Sequence, residues 1–184
     1  TGVVADLAAI GAALRGTDTL LVVDSVSGVG GVEMRMDEWG VDVLVTASQK
    51  SLMNPPGLAI AAVSEKAMRV VQAAHGIPRY SFDFRRAKTS LDKGETPFTP
   101  PASLILGLRE ALAMINEEGI PAVLARHARL AAALRAGFEA LGFPMFPTGR
   151  PFSNTVTVGV VPEGLDGAAI VRHMHGKYHT VIAG

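Results

Sequence analysis

The sequence predicts an α/β protein whose sheet is mainly parallel and carries helices on both faces. Three short apolar runs, typical of strands buried within a parallel sheet, lie at residues 19–24, 41–48 and 58–64. Segments with apolar residues at helical spacing lie before and after these runs. Because strands and helices alternate along the chain, we expect an α/β fold.

Two helices are expected in the first half of the chain. Over residues 3–14, apolar side chains recur at helical spacing and a glycine follows. Residues 64–76 open with Ser64, a suitable N-cap, and close at a glycine. Residues 77–99 mix aromatic, charged and turn-forming residues without a clear period, and a loop-rich segment of this length is usually functional or lies at an interface.

The second half of the chain is predicted to hold two long helices and then a strand, a helix and a strand. A proline pair at 100–101 suits the first turn of a helix, where a missing N–H costs nothing. The second long helix follows Gly119. The last three elements are expected at residues 154–161, 165–175 and 179–184.

A domain boundary is placed near Gly119. Residues 1–118 would form one domain and residues 119–184 a smaller α/β domain. The chain starts on what reads as a loop-to-helix junction and ends on an apolar strand with no cap. We therefore expect an internal piece of a longer protein in which both domains are incomplete.

Composition excludes several classes of partner and site. Lys+Arg and Asp+Glu number 17 each, so no basic excess points to nucleic acid or to an anionic membrane. No apolar run approaches the roughly 18 residues of a membrane-spanning helix. The chain has no cysteine, which excludes disulfides and thiolate metal sites and fits a cytoplasmic protein. His173 and His175 would point to different sides of their helix, so no metal site is expected.

An aspartate and a lysine stand out because each comes where a predicted strand ends. Asp24 closes the first run, and Lys50 follows the second in "VTASQKSLMNPPG", residues 45–57. In open parallel sheets, ligands lie beyond the carboxyl ends of the strands. A plain ion pair and a solvated lysine are the simpler interpretations. The alternative is a buried aspartate and a desolvated, nucleophilic amine.

The residues around Asp24 and Lys50 limit which kinds of ligand could bind there. Small residues after Asp24, in "DSVSGVGG", allow close approach of a flat or anionic ligand. A dinucleotide-binding G-x-G-x-x-G would need glycine where Glu33 stands, and no P-loop G-K-[ST] is present. A carboxylate and an amine on one sheet edge suit pyridoxal phosphate, which needs a lysine for its aldehyde and an acid partner for its ring nitrogen.

The same stretches carry a family resemblance. "LLVVDSVSGVGG" followed by "DVLVTASQKSLMNPPGLAIAAVSEKA" closely resembles the class V aminotransferases of fold type I, in particular the alanine–glyoxylate, serine–glyoxylate and serine–pyruvate branch. The resemblance runs over essentially all of the chain. It implies a pyridoxal-phosphate enzyme that transfers an amino group between a small amino acid, alanine or serine, and a small 2-oxo acid, glyoxylate or pyruvate.

The resemblance also implies roles for individual residues. Lys50 would carry the cofactor as an internal aldimine and move the catalytic proton. Asp24 would pair with the pyridine nitrogen, and Val26 would pack against the ring. Gln49 would help to bind the phosphate.

A second segment implies a partner subunit. "ETPFTPP" resembles the family segment that reaches the phosphate of the neighbouring subunit's cofactor, which implies Thr99 and Thr96. The resemblance therefore implies a homodimer with cofactor sites shared between subunits.

The resemblance is incomplete at both ends. By comparison with the family, residues 1–118 correspond to the second half of the large domain and residues 119–184 to most of the small one. The family's phosphate-binding glycine turn and its substrate-binding arginine fall outside the chain, so we expect this piece alone to be inactive. The alternatives are a pyridoxal-phosphate lyase of the same superfamily and a truncated, non-catalytic fragment; the lack of cysteine disfavours a desulfurase.

Overall fold

The computed structural model describes residues 2–146, 148 and 151–183. They form two compact units: one is Ala5–His127, and the other combines Thr1–Val4 with Ala128–Gly184. The domain boundary predicted near Gly119 is not tested by this division and stays a prediction.

The unit Ala5–His127 contains a three-stranded sheet and several helices. Its elements are, in order, α1 (Leu7–Leu14), β1 (Val22–Asp24), β2 (Val43–Ala47), β3 (Ala59–Val63), α2 (Glu65–Ala73), α3 (Phe84–Leu91) and α4 (Ala102–Glu118). The three predicted apolar runs are therefore strands. A further helix, α5 (Ile120–Ala140), follows α4 after Gly119 and continues past His127.

The sheet is mixed, with strand order β1-β2-β3. β1 pairs parallel with β2, whereas β2 pairs antiparallel with β3. The antiparallel direction of β3 differs from the expectation for its apolar run. Residues 48–58 join β2 to β3, and this connection is shorter than the dozen or more residues that a parallel crossover needs.

Side-chain caps set where the first helices begin. The Asp6 carboxylate accepts a hydrogen bond from the Ala9 N–H at 2.9 Å, so α1 starts later than the predicted residue 3. The Ser64 hydroxyl accepts one from the Ala67 N–H at 3.0 Å at the start of α2, as the sequence predicted.

Helix α3 lies inside segment 77–99, where no helix was predicted. Asp83 is its N-cap and accepts a hydrogen bond from the Arg85 N–H at 3.0 Å. The two side chains also form a salt bridge at 2.9 Å. The hydrogen bond from the Arg85 guanidinium lowers the pKa of Asp83 to about 2, so the cap stays ionised well into acid.

The core of this unit joins the loop after β2 to the long helices. Leu52, Ile115 and Val123 form a buried cluster. Leu52 belongs to the motif that contains Lys50, while Ile115 lies on α4 and Val123 on α5. The cluster therefore anchors the lysine-bearing loop.

The second unit has less regular structure than predicted. α6 (Gly167–Tyr178) is the expected helix, and the Asp166 carboxylate caps it. The strand predicted at 154–161 is seen only as one bridge between Gly159 and Met145, and residues 179–183 form no strand; Gly184 lies outside the described residues. An apolar run becomes a strand only when neighbouring strands pair with it.

None of the helices described for residues 2–146, 148 and 151–183 is long and apolar enough to cross a membrane.

Candidate active site

The structure brings Asp24 and Lys50 to the same edge of the sheet. Asp24 is the last residue of β1 and lies opposite Val45 of β2. Lys50 follows the end of β2 at Ala47 by a short turn. Because β1 and β2 are parallel, their carboxyl ends meet at one edge, where ligands bind in open α/β sheets.

Both side chains are exposed in this chain. The interpretation as a buried aspartate and a desolvated amine requires burial that the described residues do not supply. β1 is an edge strand, and its Val22 is 61% exposed on the same face as Asp24. The described part of the chain therefore covers this strand end from one side only.

The backbone holds the Asp24 carboxylate in a defined orientation. Its Oδ1 atom accepts a hydrogen bond from the Val26 N–H at 2.9 Å, which is the local turn that Asp side chains favour. The Oδ2 atom has no hydrogen-bond partner among the described residues. One oxygen thus orients the carboxylate and the other remains available.

The glycines after Asp24 are explained by local packing. A Cβ on Gly28 would lie 2.4 Å from the Ser25 Oγ, so any larger residue would displace the buried Ser25 hydroxyl. Gly30 has φ +87°, and a Cβ on it would lie 3.3 Å from the Ser51 Cβ. These glycines let the turn after β1 pack closely on itself and on the residue that follows Lys50.

Ser48 closes the base of the Lys50 loop. Its side chain is fully buried, and its hydroxyl donates to the Pro55 carbonyl at 2.7 Å and accepts from the Leu58 N–H at 3.2 Å. Its N–H donates to the Leu58 carbonyl at 3.1 Å, and its carbonyl accepts from the Asn54 N–H at 3.0 Å. Four hydrogen bonds at one residue tie both ends of loop 49–57 together.

Asn54 ties the same loop to α4. Its Nδ2 donates to the Leu104 carbonyl at 3.0 Å, and the side chain is buried. A Cβ at Gly107 would lie 2.4 Å from the Asn54 Oδ1, so the helix has a glycine where the amide packs against it. The sequence did not reveal the roles of Ser48 and Asn54, because the motif contains several other polar residues and only their burial distinguishes these two.

The Lys50 amine has no hydrogen-bond or ion-pair partner in the described part of the chain. Three of the other four lysines are engaged, whereas Lys93 is exposed and its amine, like that of Lys50, has no polar partner among the described residues. The Lys66 Nζ donates to two backbone carbonyls at 3.0 and 2.7 Å, Lys88 pairs with Asp92, and Lys177 lies over the Tyr178 ring. A free amine on a braced loop fits covalent attachment of an aldehyde.

The remaining predicted residues fall in two places. Val26 and Gln49 lie next to Asp24 and Lys50 in the chain and so share their sheet edge. Thr96 and Thr99 precede α4; the Thr96 hydroxyl donates to the Phe98 carbonyl at 2.7 Å, whereas the Thr99 side chain is exposed. Neither threonine forms a hydrogen bond with the sheet-edge residues described here.

Comparison with known proteins identifies the family. The family model of "Aminotransferase class-V" matches residues 1–179. The chain belongs to the class V aminotransferases. The predicted family is thereby confirmed, and so is pyridoxal phosphate as the cofactor that this family uses.

Individual relatives agree with this assignment. The chain is 45% identical to the L-aspartate–glyoxylate aminotransferase of Paracoccus denitrificans over 97% of its own length and 46% of the relative's. It is 41% identical to the serine–glyoxylate aminotransferase of Hyphomicrobium methylovorum over 98% and 45% of the two chains.

A solved structure confirms the predicted fold class. The structure resembles the alanine–glyoxylate aminotransferase of Nostoc sp. with a TM-score of 0.93 and 29% sequence identity, covering 100% of this chain and 49% of that one. The chain thus spans about half the length of the relatives that it matches.

The site residues present fit pyridoxal phosphate. The aldehyde of the cofactor needs a primary amine, and the Lys50 amine is exposed and unpaired among the described residues. The ring nitrogen needs an acid partner, and Asp24 has an oxygen without a hydrogen bond. These are the groups through which proteins bind and tune this cofactor.

Proposed function

We propose that the whole protein catalyses pyridoxal-phosphate-dependent transfer of an amino group from a small amino acid, alanine or serine, to a small 2-oxo acid, glyoxylate or pyruvate. The supporting observation is the free Lys50 amine, held on a braced loop at the sheet edge that also carries Asp24. Two relatives are named for transfer to glyoxylate, which supports that acceptor.

Lys50 has two tasks in this proposal. When bound, pyridoxal phosphate supplies an aldehyde that condenses with amines and a protonated ring that accepts electrons from the substrate Cα. The Lys50 amine would hold the cofactor covalently; once the substrate amine takes its place on the cofactor, the freed Lys50 amine would accept and return the proton of the substrate Cα. Anchoring by Ser48 and Asn54 keeps the amine within reach at little entropic cost.

Asp24 and its neighbours orient the ring. The Val26 N–H fixes the Asp24 carboxylate through Oδ1, which leaves Oδ2 to hold the proton on the ring nitrogen. An anionic partner raises the pKa of that nitrogen and keeps the ring cationic. In the same proposal the Val26 side chain packs on the ring and Gln49 helps to bind the phosphate.

Thr96 and Thr99 extend the proposal to assembly. They lie away from the sheet-edge residues in sequence and precede α4. We propose that they reach the cofactor phosphate of a second subunit in a cytoplasmic homodimer. Residues 1–118 then belong to the large domain and residues 119–184 to the small one.

A product assay on the whole protein tests the function. With alanine or serine and glyoxylate, a transaminase forms one glycine for each 2-oxo acid produced. Lys50→Ala should lower the rate about 100-fold or more, because general acid–base catalysis at the Cα is lost. Lys93→Ala, which removes another exposed lysine, should leave the rate unchanged. Ammonia release without an acceptor would instead identify a lyase.

A further inference from the structure

A buried carboxylate lies at the opposite end of the strands from the candidate site. Asp42 directly precedes β2 and is 6% exposed. Its Oδ2 accepts a hydrogen bond from the Leu21 N–H at 2.9 Å, and its Oδ1 accepts one from the Ser64 hydroxyl at 2.9 Å. Burial acts to raise the pKa of Asp42, but these hydrogen bonds and the charge of Lys66 outweigh it and hold the pKa below its usual value.

Lys66 completes the arrangement. Its Nζ lies 3.6 Å from the Asp42 Oδ2 and donates hydrogen bonds to the Thr17 carbonyl at 3.0 Å and the Thr19 carbonyl at 2.7 Å. Asp42 and Lys66, which we call the register clamp, therefore contact three backbone groups just before β1. The Asp42 and Val43 N–H groups also donate to the Leu21 carbonyl, at 2.8 and 3.1 Å.

The alternation of buried and exposed residues in β1 is too short to fix the register of β1 on β2. Contacts outside the strand are therefore needed to fix it. The strand has three residues, with Val23 buried and Asp24 on the exposed face. A one-residue slip would turn Asp24 toward the buried face, which burial of a charge opposes. A two-residue slip would put Leu21 in the place of Val23 and leave Asp24 on its own face, so the apolar pattern does not oppose it.

A two-residue slip would displace the candidate site. At about 3.3 Å per residue in a parallel pair, it moves Asp24 by about 6.6 Å along β2. Lys50 would not follow, because its loop is fixed by Ser48 and by Leu52 in the core. A slip would break the contacts of the register clamp with the residues before β1.

We propose that Asp42 and Lys66 are positioning residues, which set the register of β1 on β2 and thereby place Asp24 opposite Val45, next to Lys50. The clamp acts from the amino ends of the strands and touches neither member of the candidate pair. That the distance between Asp24 and Lys50 matters for catalysis rests on the proposed function. That Asp42 and Lys66 set the register of β1 on β2 does not rest on it.

Nuclear magnetic resonance on the full 184-residue chain tests the proposal through Lys66→Met and Asp42→Asn. We expect the backbone contact between Val22 and Val43 to weaken and a contact between Val22 and Val45 to appear. Protection of the Leu21 amide from hydrogen exchange should fall about tenfold or more in Asp42→Asn, because its hydrogen bond to a charged group is lost. Protection of the Ser25 amide, which donates to the Val45 carbonyl at 2.8 Å, should fall in both variants because the slip breaks that bond.

Two control variants distinguish a change in the register of β1 from a general loss of stability. Arg69→Met removes an exposed cation of α2 that has no polar partner in the described residues, and it should leave the contacts unchanged. Ile115→Val loosens the core and should lower the protection of the Leu21, Ser25 and Ser48 amides together.

The outcomes are distinct. Selective loss at Leu21 and Ser25, with Ser48 still protected, supports the register clamp. An unchanged Val22–Val43 contact, or a uniform loss like that of Ile115→Val, overturns it. No readout uses the cofactor, so failure of the proposed function would not produce either result.

Discussion

Replacing Ser48 with alanine removes the hydroxyl that closes the base of the Lys50 loop. The hydroxyl is fully buried, donates to the Pro55 carbonyl at 2.7 Å and accepts from the Leu58 N–H at 3.2 Å. Alanine keeps the Cβ and the backbone hydrogen bonds to Leu58 and Asn54, so both strands around the loop stay in place. Ser48→Ala therefore tests the side-chain contacts alone.

The expected loss of stability follows from the two backbone groups that Ser48→Ala leaves without a hydrogen-bond partner. Leu58 is half-buried, so its N–H loses a partner that water replaces poorly, at about 1–1.5 kcal/mol. Pro55 is exposed, so water can reach its carbonyl and the loss is nearer about 0.5 kcal/mol. We expect the free energy of unfolding to fall by about 1.5–2 kcal/mol in total.

Urea unfolding of the full chain measures this change. With a denaturant dependence of about 2 kcal/mol per molar urea, the unfolding midpoint should fall by about 0.75–1 M. Ser51→Ala is the matched control, because Ser51 lies in the same loop and its hydroxyl has no hydrogen bond in the described residues. That control should change stability by less than about 0.5 kcal/mol.

The comparison of the two serines decides the outcome. If Ser48→Ala and Ser51→Ala unfold at the same urea concentration, the Ser48 hydroxyl does not stabilise the loop. The bracing assigned to Lys50 would then lose its main support.

Three further predictions concern other residues. Asp24→Asn in the whole protein should retain covalent cofactor at Lys50 but lose most of the rate of Cα proton exchange, which deuterium exchange into the amino acid measures; an unchanged exchange rate would remove Asp24 from the ring nitrogen. Thr99→Ala should weaken cofactor affinity by about 1.5–3 kcal/mol, the value of a hydrogen bond to a charged group, without dissociating the dimer; equal affinity in a titration would exclude Thr99 from the site. The pKa of Asp42 is lowered in the folded chain, so its contribution to stability is present above the usual Asp pKa of about 3.9 and is lost as the pH falls through the lower folded value. The difference in urea midpoint between the unaltered chain and Asp42→Asn should therefore be constant above about pH 5 and shrink below about pH 4, and a difference that grows in acid would contradict the assigned shift.

The strands that position the site were predictable because their apolar runs are continuous. The direction of β3 was not, since an apolar run gives no information on orientation; only the short connection 48–58 does. Helix α3 was missed because it is only eight residues long and mostly polar, although Asp83 offered a capping signal. Residues 154–161 have the composition of a strand, but among the described residues they find only one bridging partner.

The sequence predicted which residues form the candidate site better than it predicted their exposure and their supporting contacts. Asp24 and Lys50 were found from their places after two strands, and the parallel pairing of β1 and β2 brings those strand ends together. Their exposure was not foreseen, because burial depends on what packs over an edge strand. Ser48 and Asp42 were also missed as supports, since a buried polar residue is recognised by its partners in space.

The central claim is that Lys50 is the residue that binds pyridoxal phosphate covalently. Reduction of the cofactor-loaded whole protein with borohydride, followed by proteolysis and mass spectrometry, locates the attached cofactor directly. We expect the label on Lys50 and no label at that position in Lys50→Ala. A label on Lys66, Lys88, Lys93 or Lys177, with Lys50 unmodified, would contradict it.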